Sequence, residues 1–184
     1  MTETQQIHLA RQGNNAAWEA LIRAHQEPVF RLAYLLLGDQ DEAEDITQET
    51  FLHAYKALKG FDIERPLRPW LLRIASNLAH NRYRFIGRYI GALTRFARQN
   101  PERIKPTTIQ PEDDSQALWQ AVRQMAKPFQ EVIYLRYFLD MPESEMVDTL
   151  NVPAGTVKSR LHRAIRKLRQ IIERDYPELK EIVE

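Results

Sequence analysis

The chain has 184 residues, a formal net charge of +1 and no cysteine, which excludes disulfides, a thiol nucleophile and a cysteine-type zinc site. Its longest apolar run, residues 32–37, is far shorter than the roughly 18 residues that a membrane span needs. The polar first residues also lack the apolar segment of a signal peptide. We therefore expect a cytoplasmic protein without membrane insertion, and the length suits two small domains.

Apolar residues at helical spacing cover most of the chain, and no stretch shows the sustained alternation of a strand. In the first half, glycines separate predicted helices over residues 4–13, 14–37, 39–59 and 69–98. Two interpretations of residues 84–98 stay open: the segment either extends the preceding helix or folds only against a partner. The pattern predicts an all-α fold.

The third predicted helix has an acidic outer face that includes one aliphatic side chain. Leu52 falls on the same side of the helix as Asp45, Gln48 and Glu49. This combination suits a protein partner that has basic side chains around an apolar pocket. A metal site among the carboxylates of this helix is the weaker alternative, because they spread around the helix without a histidine partner. We predict no metal and no cofactor.

The fourth predicted helix carries a stripe of aromatic and polar side chains opposite its apolar side. An aromatic ring among arginines and carboxamides offers single-stranded bases a stacking surface, phosphate partners and hydrogen-bonding groups. The short loop before it, residues 61–67, suits an unstacked base. The alternative is that Trp70 is a packing residue and the arginines are solvated. The stripe consists of Trp70, Arg73, Asn77, His80, Asn81 and Arg84.

A proline-rich segment without much apolar material separates the two halves, and we interpret residues 99–111 as a flexible linker. The predicted domains are residues 1–98 and 112–176, followed by an acidic tail over residues 177–184. Helical patterns in the second domain cover residues 113–125, 127–139, 143–150 and 154–174.

The last two of these helices form a predicted helix-turn-helix between Pro142 and Arg169. Asn151 suits the turn because asparagine tolerates a left-handed backbone, and Pro153 suits a helix start. Residues 154–174 hold 7 basic and 1 acidic side chains, and residues 65–105 hold 10 and 1. Two basic blocks indicate two nucleic-acid contacts, because phosphate binding depends on local charge. A solvated basic face is the alternative for the second block.

Three segments in this order resemble the extracytoplasmic-function (ECF) group of bacterial sigma factors, in the sigma-70 family. They are AEDITQETFLHAYKAL from Ala43, RPWLLRIASNLAHNRYR from Arg68 and VPAGTVKSRLHRAIRKL from Val152. The resemblance implies two small helical domains, of which the second is a helix-turn-helix (winged-helix-like) DNA-binding domain. The chain departs from the family pattern at Leu67, where an aromatic is common, and at Leu72, where tyrosine is usual.

The resemblance also implies a function and a set of residue roles. A sigma factor directs core RNA polymerase to promoters and does no bond chemistry itself. The implied partners are promoter DNA, the clamp helices of the largest polymerase subunit, the flap, and an anti-sigma factor. Implied polymerase contacts are Asp45, Gln48, Glu49 and Leu52. Implied contacts to the melted −10 element are Asp62, Arg65, Leu67, Trp70, Arg73, Asn77, Asn81, Arg82 and Arg84. Implied −35 contacts are Thr156, Lys158, Ser159, Arg160, His162, Arg163 and Arg166.

Two other classes stay open at this point. A helix-turn-helix regulator that binds duplex DNA without polymerase leaves the acidic face around Leu52 and the stripe around Trp70 unexplained. A DNA-processing enzyme with a helix-turn-helix tail is disfavoured, because the five histidines are scattered and no zinc-protease or phosphate-cradling glycine motif is present.

Overall fold

A computed structural model describes the backbone of residues 1–96 and 113–177 and the side chains of residues 1–83 and 117–177. The chain divides into two compact units, Met1–Pro106 and Thr107–Glu184. The described residues form helices and no strand, so the all-α expectation is confirmed and the helix-turn-helix has no β-wing within these residues. None of the described helices has the length and apolar character to cross a membrane.

The first unit contains four α-helices: α1 (Glu3–Arg11), α2 (Asn15–Leu37), α3 (Gln40–Ala57) and α4 (Leu67–Phe96), with a short 3₁₀ turn at Leu58–Gly60. Side-chain caps define several of the starts. Asn14 accepts a hydrogen bond from the backbone N–H of Ala17, and Asp39 caps α3 in the same way. Gly38 ends α2 in the left-handed region, at φ 76°.

The core of the first unit lies where α2, α3 and α4 pack together. Ala33 of α2 meets Ala43 and Ile46 of α3, and partly buried Leu78 of α4 packs against them. Because α3 and α4 share this core, the outer face of α3 and the polar side of α4 belong to one packed unit. Helix α1 packs against α2, and its Ile7 is 1% exposed.

The second unit contains α5 (Asp113–Arg123), α6 (Lys127–Ile133), α7 (Glu143–Leu150) and α8 (Ala154–Asp175). Residues Tyr134–Phe138 continue α6 as one π-helical turn, a departure from the regular helix that the periodicity predicts over residues 127–139. The ring of Tyr134 is fully buried and meets Phe138 edge-on, with centroids 5.6 Å apart. Burial raises the pKa of the Tyr134 hydroxyl above its ordinary value, so this hydroxyl stays neutral.

Helices α7 and α8 form the predicted helix-turn-helix. Asn151 ends α7 in the left-handed region, at φ 53° and ψ 47°, and Pro153 precedes the first residue of α8, as the sequence predicts. The apolar side of α8 is buried in the core of the unit through Val157, Leu161, Ala164, Leu168, Ile171 and Ile172. Burial of this side directs the basic side of α8 to solvent.

One predicted site residue lies in the core. Leu67 was expected at the end of the base-holding loop, but it is the first residue of α4 and is 0% exposed. Leu72, the other departure from the family pattern, is also 0% exposed. Both leucines pack inside the first unit, so neither side chain can touch a base in this conformation. The buried side chain of Leu67 does not fit the predicted DNA contact in this conformation.

Candidate protein and nucleic-acid interfaces

The outer face of α3 brings the four predicted protein-contact residues together. Their spacing over two helical turns places Asp45, Gln48, Glu49 and Leu52 along one side. Leu52 is 61% exposed, and the side chains of Asp45 and Glu49 are 67% and 41% exposed. Most of the surface of Leu52 is therefore open to solvent. It is available to a partner.

An apolar groove lies beside this face, between α2 and α3, and sequence reasoning did not find it. Its volume is about 590 Å³. The indole of Trp18 lies against Tyr55 and Phe51, with ring centroids 5.3 Å and 6.2 Å away. Because Gln48 and Leu52 also line it, the groove continues the outer face of α3. The lining residues are Asn15, Trp18, Ile22, Gln26, Thr47, Gln48, Phe51, Leu52 and Tyr55.

Arg82 of α4 joins the acidic residues of α3. Its Nη1 lies 2.5 Å from Glu42 Oε2 and 3.9 Å from Asp45 Oδ2, and its Nη2 lies 3.5 Å from Glu49 Oε2. The family resemblance implies that Arg82 contacts the melted −10 element, whereas the structure places its guanidinium against two of the predicted polymerase contacts. The side chain is 29% exposed, so these pairs are partly shielded from solvent screening.

The loop between the 3₁₀ turn and α4 presents charged side chains to solvent. Asp62, Glu64 and Arg65 are exposed. Asp62 Oδ1 accepts a hydrogen bond from Glu64 N at 3.1 Å, and its other oxygen lies 3.6 Å from Arg65 Nε. Asp62 therefore organises the tip of the loop, and Arg65 projects from it. Phe61, at the start of the loop, is buried.

The stripe on α4 is only partly exposed. Trp70 is half-buried and its ring packs on Phe61, with centroids 4.6 Å apart, so the packing interpretation of this tryptophan describes part of its surface. Arg73 is also half-buried, whereas Asn77 and Asn81 are exposed. Sequence reasoning did not include Tyr83, a second aromatic of this helix that is 47% exposed. The side chain of Arg84 lies outside the described residues.

The basic side of α8 presents most of the predicted duplex contacts to solvent. Arg163 Nε donates to the backbone oxygen of Ser159 at 3.1 Å, and its Nη2 lies 3.4 Å from Ser159 Oγ. These bonds orient the guanidinium along the helix surface. Thr156 and Arg160 are half-buried, and the exposed members are Lys158, Ser159, His162, Arg163 and Arg166.

The described side chains contain no group of three or more histidine or acidic residues arranged to hold a metal ion. The carboxylates of α3 are instead paired with Arg82 or directed to solvent. Their arrangement fits a charged docking surface.

Comparison with known proteins assigns both units. The family model for sigma-70 region 2 matches residues 21–89, and the model for sigma-70 region 4 matches residues 115–168. The chain is 31% identical to the ECF RNA polymerase sigma factor SigW of Bacillus subtilis strain 168, over 89% of this chain and 93% of that protein. It is 32% identical to the ECF RNA polymerase sigma factor SigL of Mycobacterium tuberculosis strain H37Rv, over 88% of this chain and 94% of that protein.

Solved structures share the fold. CnrH, solved in complex with the cytosolic domain of CnrY, matches with a TM-score of 0.71 and 24% identity over 94% of this chain and 98% of that one. The sigma factor RpoE from Bartonella quintana, solved with the anti-sigma factor NepR, matches with a TM-score of 0.67 and 23% identity over 85% of this chain and 94% of that one. The two regions match in the order that the sequence motifs predict, and the two sigma factors named above match over most of their own length. This chain therefore belongs to the ECF group of the sigma-70 family of RNA polymerase sigma factors.

Proposed function

We propose that this sigma factor divides promoter recognition between its two units. The first unit docks on core RNA polymerase through the outer face of α3 and holds the melted −10 element on the loop and stripe of α4. The second unit reads the −35 element with α8. The observation that carries the proposal is the exposure of Leu52 among the carboxylates of α3, because a plain helix-turn-helix regulator has no use for such a face.

The docking contact combines an apolar anchor with charge. Leu52 and the adjacent groove bury apolar surface against the partner, and Asp45 and Glu49 meet its basic side chains. Arg82 holds both carboxylates in place from the side of α4. The partner that fits is the clamp-helix surface of the largest polymerase subunit.

For the −10 element, the loop tip and α4 supply different contacts. Asp62 and Arg65 border a base that leaves the stack, and the carboxamides of Asn77 and Asn81 read base edges, because a carboxamide both donates and accepts hydrogen bonds. The exposed part of the Trp70 ring provides a stacking surface. Arg73 holds a strand phosphate, and by its sequence position so does Arg84.

For the −35 element, α8 enters the major groove of duplex DNA. Arg163 and Arg166 donate to guanine edges or phosphates, and Lys158 contacts phosphate. Thr156, Ser159, Arg160 and His162 complete the contact surface. A helix-turn-helix of this size binds weakly alone, so attachment to polymerase, partly through its flap, raises its effective concentration at the promoter.

The remaining parts follow from this division of labour. Residues 1–98 form the polymerase-binding and melting domain, residues 99–111 link it to residues 112–176, and residues 177–184 form an acidic tail. The chain catalyses nothing, requires no cofactor and works in the cytoplasm with the polymerase. An anti-sigma factor that covers the docking and DNA faces is the expected regulator, as RpoE of Bartonella quintana was solved with the anti-sigma factor NepR.

A pull-down of purified core polymerase combined with run-off transcription tests the proposal. The sigma-factor proposal predicts that the chain binds core enzyme and starts transcripts at a defined position. A chain that binds duplex DNA but neither retains core enzyme nor starts transcripts would support the regulator class instead.

A further inference from the structure

The loop that precedes α4 is tied at its start to α1. The Nε of Arg11 donates to the backbone oxygen of Leu58 at 2.9 Å, and Nη2 of the same guanidinium donates to the backbone oxygen of Phe61. These carbonyls belong to the 3₁₀ turn and to the first residue of the loop. One side chain of α1 therefore fixes the path by which the chain leaves α3.

The other end of the loop is tied to the same helix. Glu3 Oε2 accepts a hydrogen bond from the backbone N–H of Leu67, the first residue of α4, at 3.4 Å. Helix starts have free N–H groups and a partial positive charge, so a carboxylate there is favourable. Glu3 Oε1 lies 2.8 Å from Nε2 of His25 on α2, a residue that is 9% exposed. His25 thus fixes the position of the carboxylate.

Helix α1 is itself firmly placed. Ile7 and Ala10 are 1% and 3% exposed, on the side of α1 that packs against α2. Thr2 and Gln5 form a reciprocal capping box at its start. The two anchors of the loop, Arg11 and Glu3, therefore extend from a packed helix.

Within the loop, two hydrogen bonds join residues that are close in sequence. Arg65 N donates to the backbone oxygen of Asp62 at 3.1 Å, and Glu64 N donates to Asp62 Oδ1. These bonds shape the tip. Because Arg11 and Glu3 hold the two ends of the loop, the loss of either anchor would displace this tip.

We propose that Arg11 and Glu3 are positioning residues that hold the loop in the shape that selects the unstacked −10 base. This inference rests on the proposed role of the loop in holding that base. It gives promoter selection a component in α1, which lies before the region 2 match at residues 21–89. A loop held in one shape cannot re-pack around a different base, so its anchors increase discrimination without contacting DNA.

The test compares base selection in the variants Arg11→Gln and Glu3→Ala with that in matched controls of α2, Arg31→Gln and Glu27→Ala. Both control side chains are exposed. Each variant is assembled with core polymerase, and transcription is measured on four templates that differ only at the selected −10 position. A second readout is retention of core enzyme in a pull-down, and a third is the midpoint of thermal unfolding.

We expect Arg11→Gln and Glu3→Ala to reduce the preference for the best base by about tenfold, since a displacement of about 1 Å at a positioned group costs up to about a hundredfold. Core binding and the controls should be unchanged. Arg11→Lys should restore part of the preference, because its ammonium can still donate to one of the two carbonyls.

Unchanged base preference in both variants would overturn the inference. A loss of preference that only parallels a fall in core binding and thermal midpoint would also overturn it, because α1 would then be a general stabilising element. If the unmodified chain starts transcripts but prefers no base at any −10 position, both this inference and the proposed role of the loop fail. If the chain starts transcripts with a base preference that neither Arg11 nor Glu3 affects, only this inference fails.

Discussion

Reversal of two charges on α3 tests the docking face most sharply. In the double variant Asp45→Lys and Glu49→Lys, both exposed carboxylates of the face become ammonium groups. Arg82 then loses two of its three acidic neighbours and keeps Glu42, which lies 2.5 Å away. Because α3 buries its opposite side through Ala43 and Ile46, the substitutions leave the helix packing untouched.

The effect on folding should be small and the effect on binding large. Each lost pair with Arg82 is partly exposed and contributes about 0.2–1 kcal/mol, so the loss of both lowers the free energy of unfolding by about 0.4–2 kcal/mol. That is a fraction of the roughly 5–15 kcal/mol that stabilises a typical domain. Important interface positions cost about 2 kcal/mol each when altered. Two reversals against a basic partner therefore weaken polymerase binding by about 4 kcal/mol, roughly a thousandfold in Kd.

The assay is a titration of core polymerase with the fluorescently labelled chain, with circular dichroism as the folding control. The matched control is Glu27→Lys with Glu64→Lys, which makes the same charge change in the same unit at exposed positions outside α3. We expect the control pair to bind within a few-fold of the unmodified chain. Equal binding by the Asp45 and Glu49 variant, or an equal loss in the control, would refute the assignment of this face.

Three further outcomes follow from the same structure. Arg163→Ala should weaken −35 binding by about 1–3 kcal/mol and relax base preference at one position of the duplex, measured by fluorescence anisotropy; a uniform loss across all sequences would contradict base reading. Asn77→Ala should impair −10 selection on duplex promoters at unchanged core binding, and an unaltered promoter preference would argue against this residue. Leu67→Ala should lower the free energy of unfolding by about 2–5 kcal/mol in urea, and Leu67→Met by less than about 1.5 kcal/mol; a stable Leu67→Ala chain with altered base preference would return this residue to the DNA contacts.

Much of the fold could be predicted because local signals coincide with helix ends. Asn14, Asp39 and Gly38 lie at the ends of α2 and α3, and Asn151 adopts the left-handed backbone at the turn before α8. Apolar spacing also identified the buried side of α8. Local periodicity gives no signal for the π-helical turn at Tyr134–Phe138, because the turn lies within a stretch of regular helical apolar spacing.

The site was harder to predict where tertiary contacts decide the role of a side chain. Leu67 stands at the end of a polar loop in the sequence, yet the fold buries it as the first residue of α4. The family resemblance implied a −10 contact for Arg82, but its neighbours are carboxylates that come 33–40 residues earlier in the chain. The groove around Trp18 and the anchors Arg11 and Glu3 likewise depend on contacts between helices.

Transcription from a randomised promoter library, with purified core polymerase and this chain as the added factor, tests the division of labour most directly. The account predicts transcripts that start at a fixed distance from two selected sequence blocks. Arg163→Ala should relax selection in the upstream block only, and Asn77→Ala in the downstream block only. Selection of the upstream block alone, with no transcript that depends on the first unit, would contradict the account.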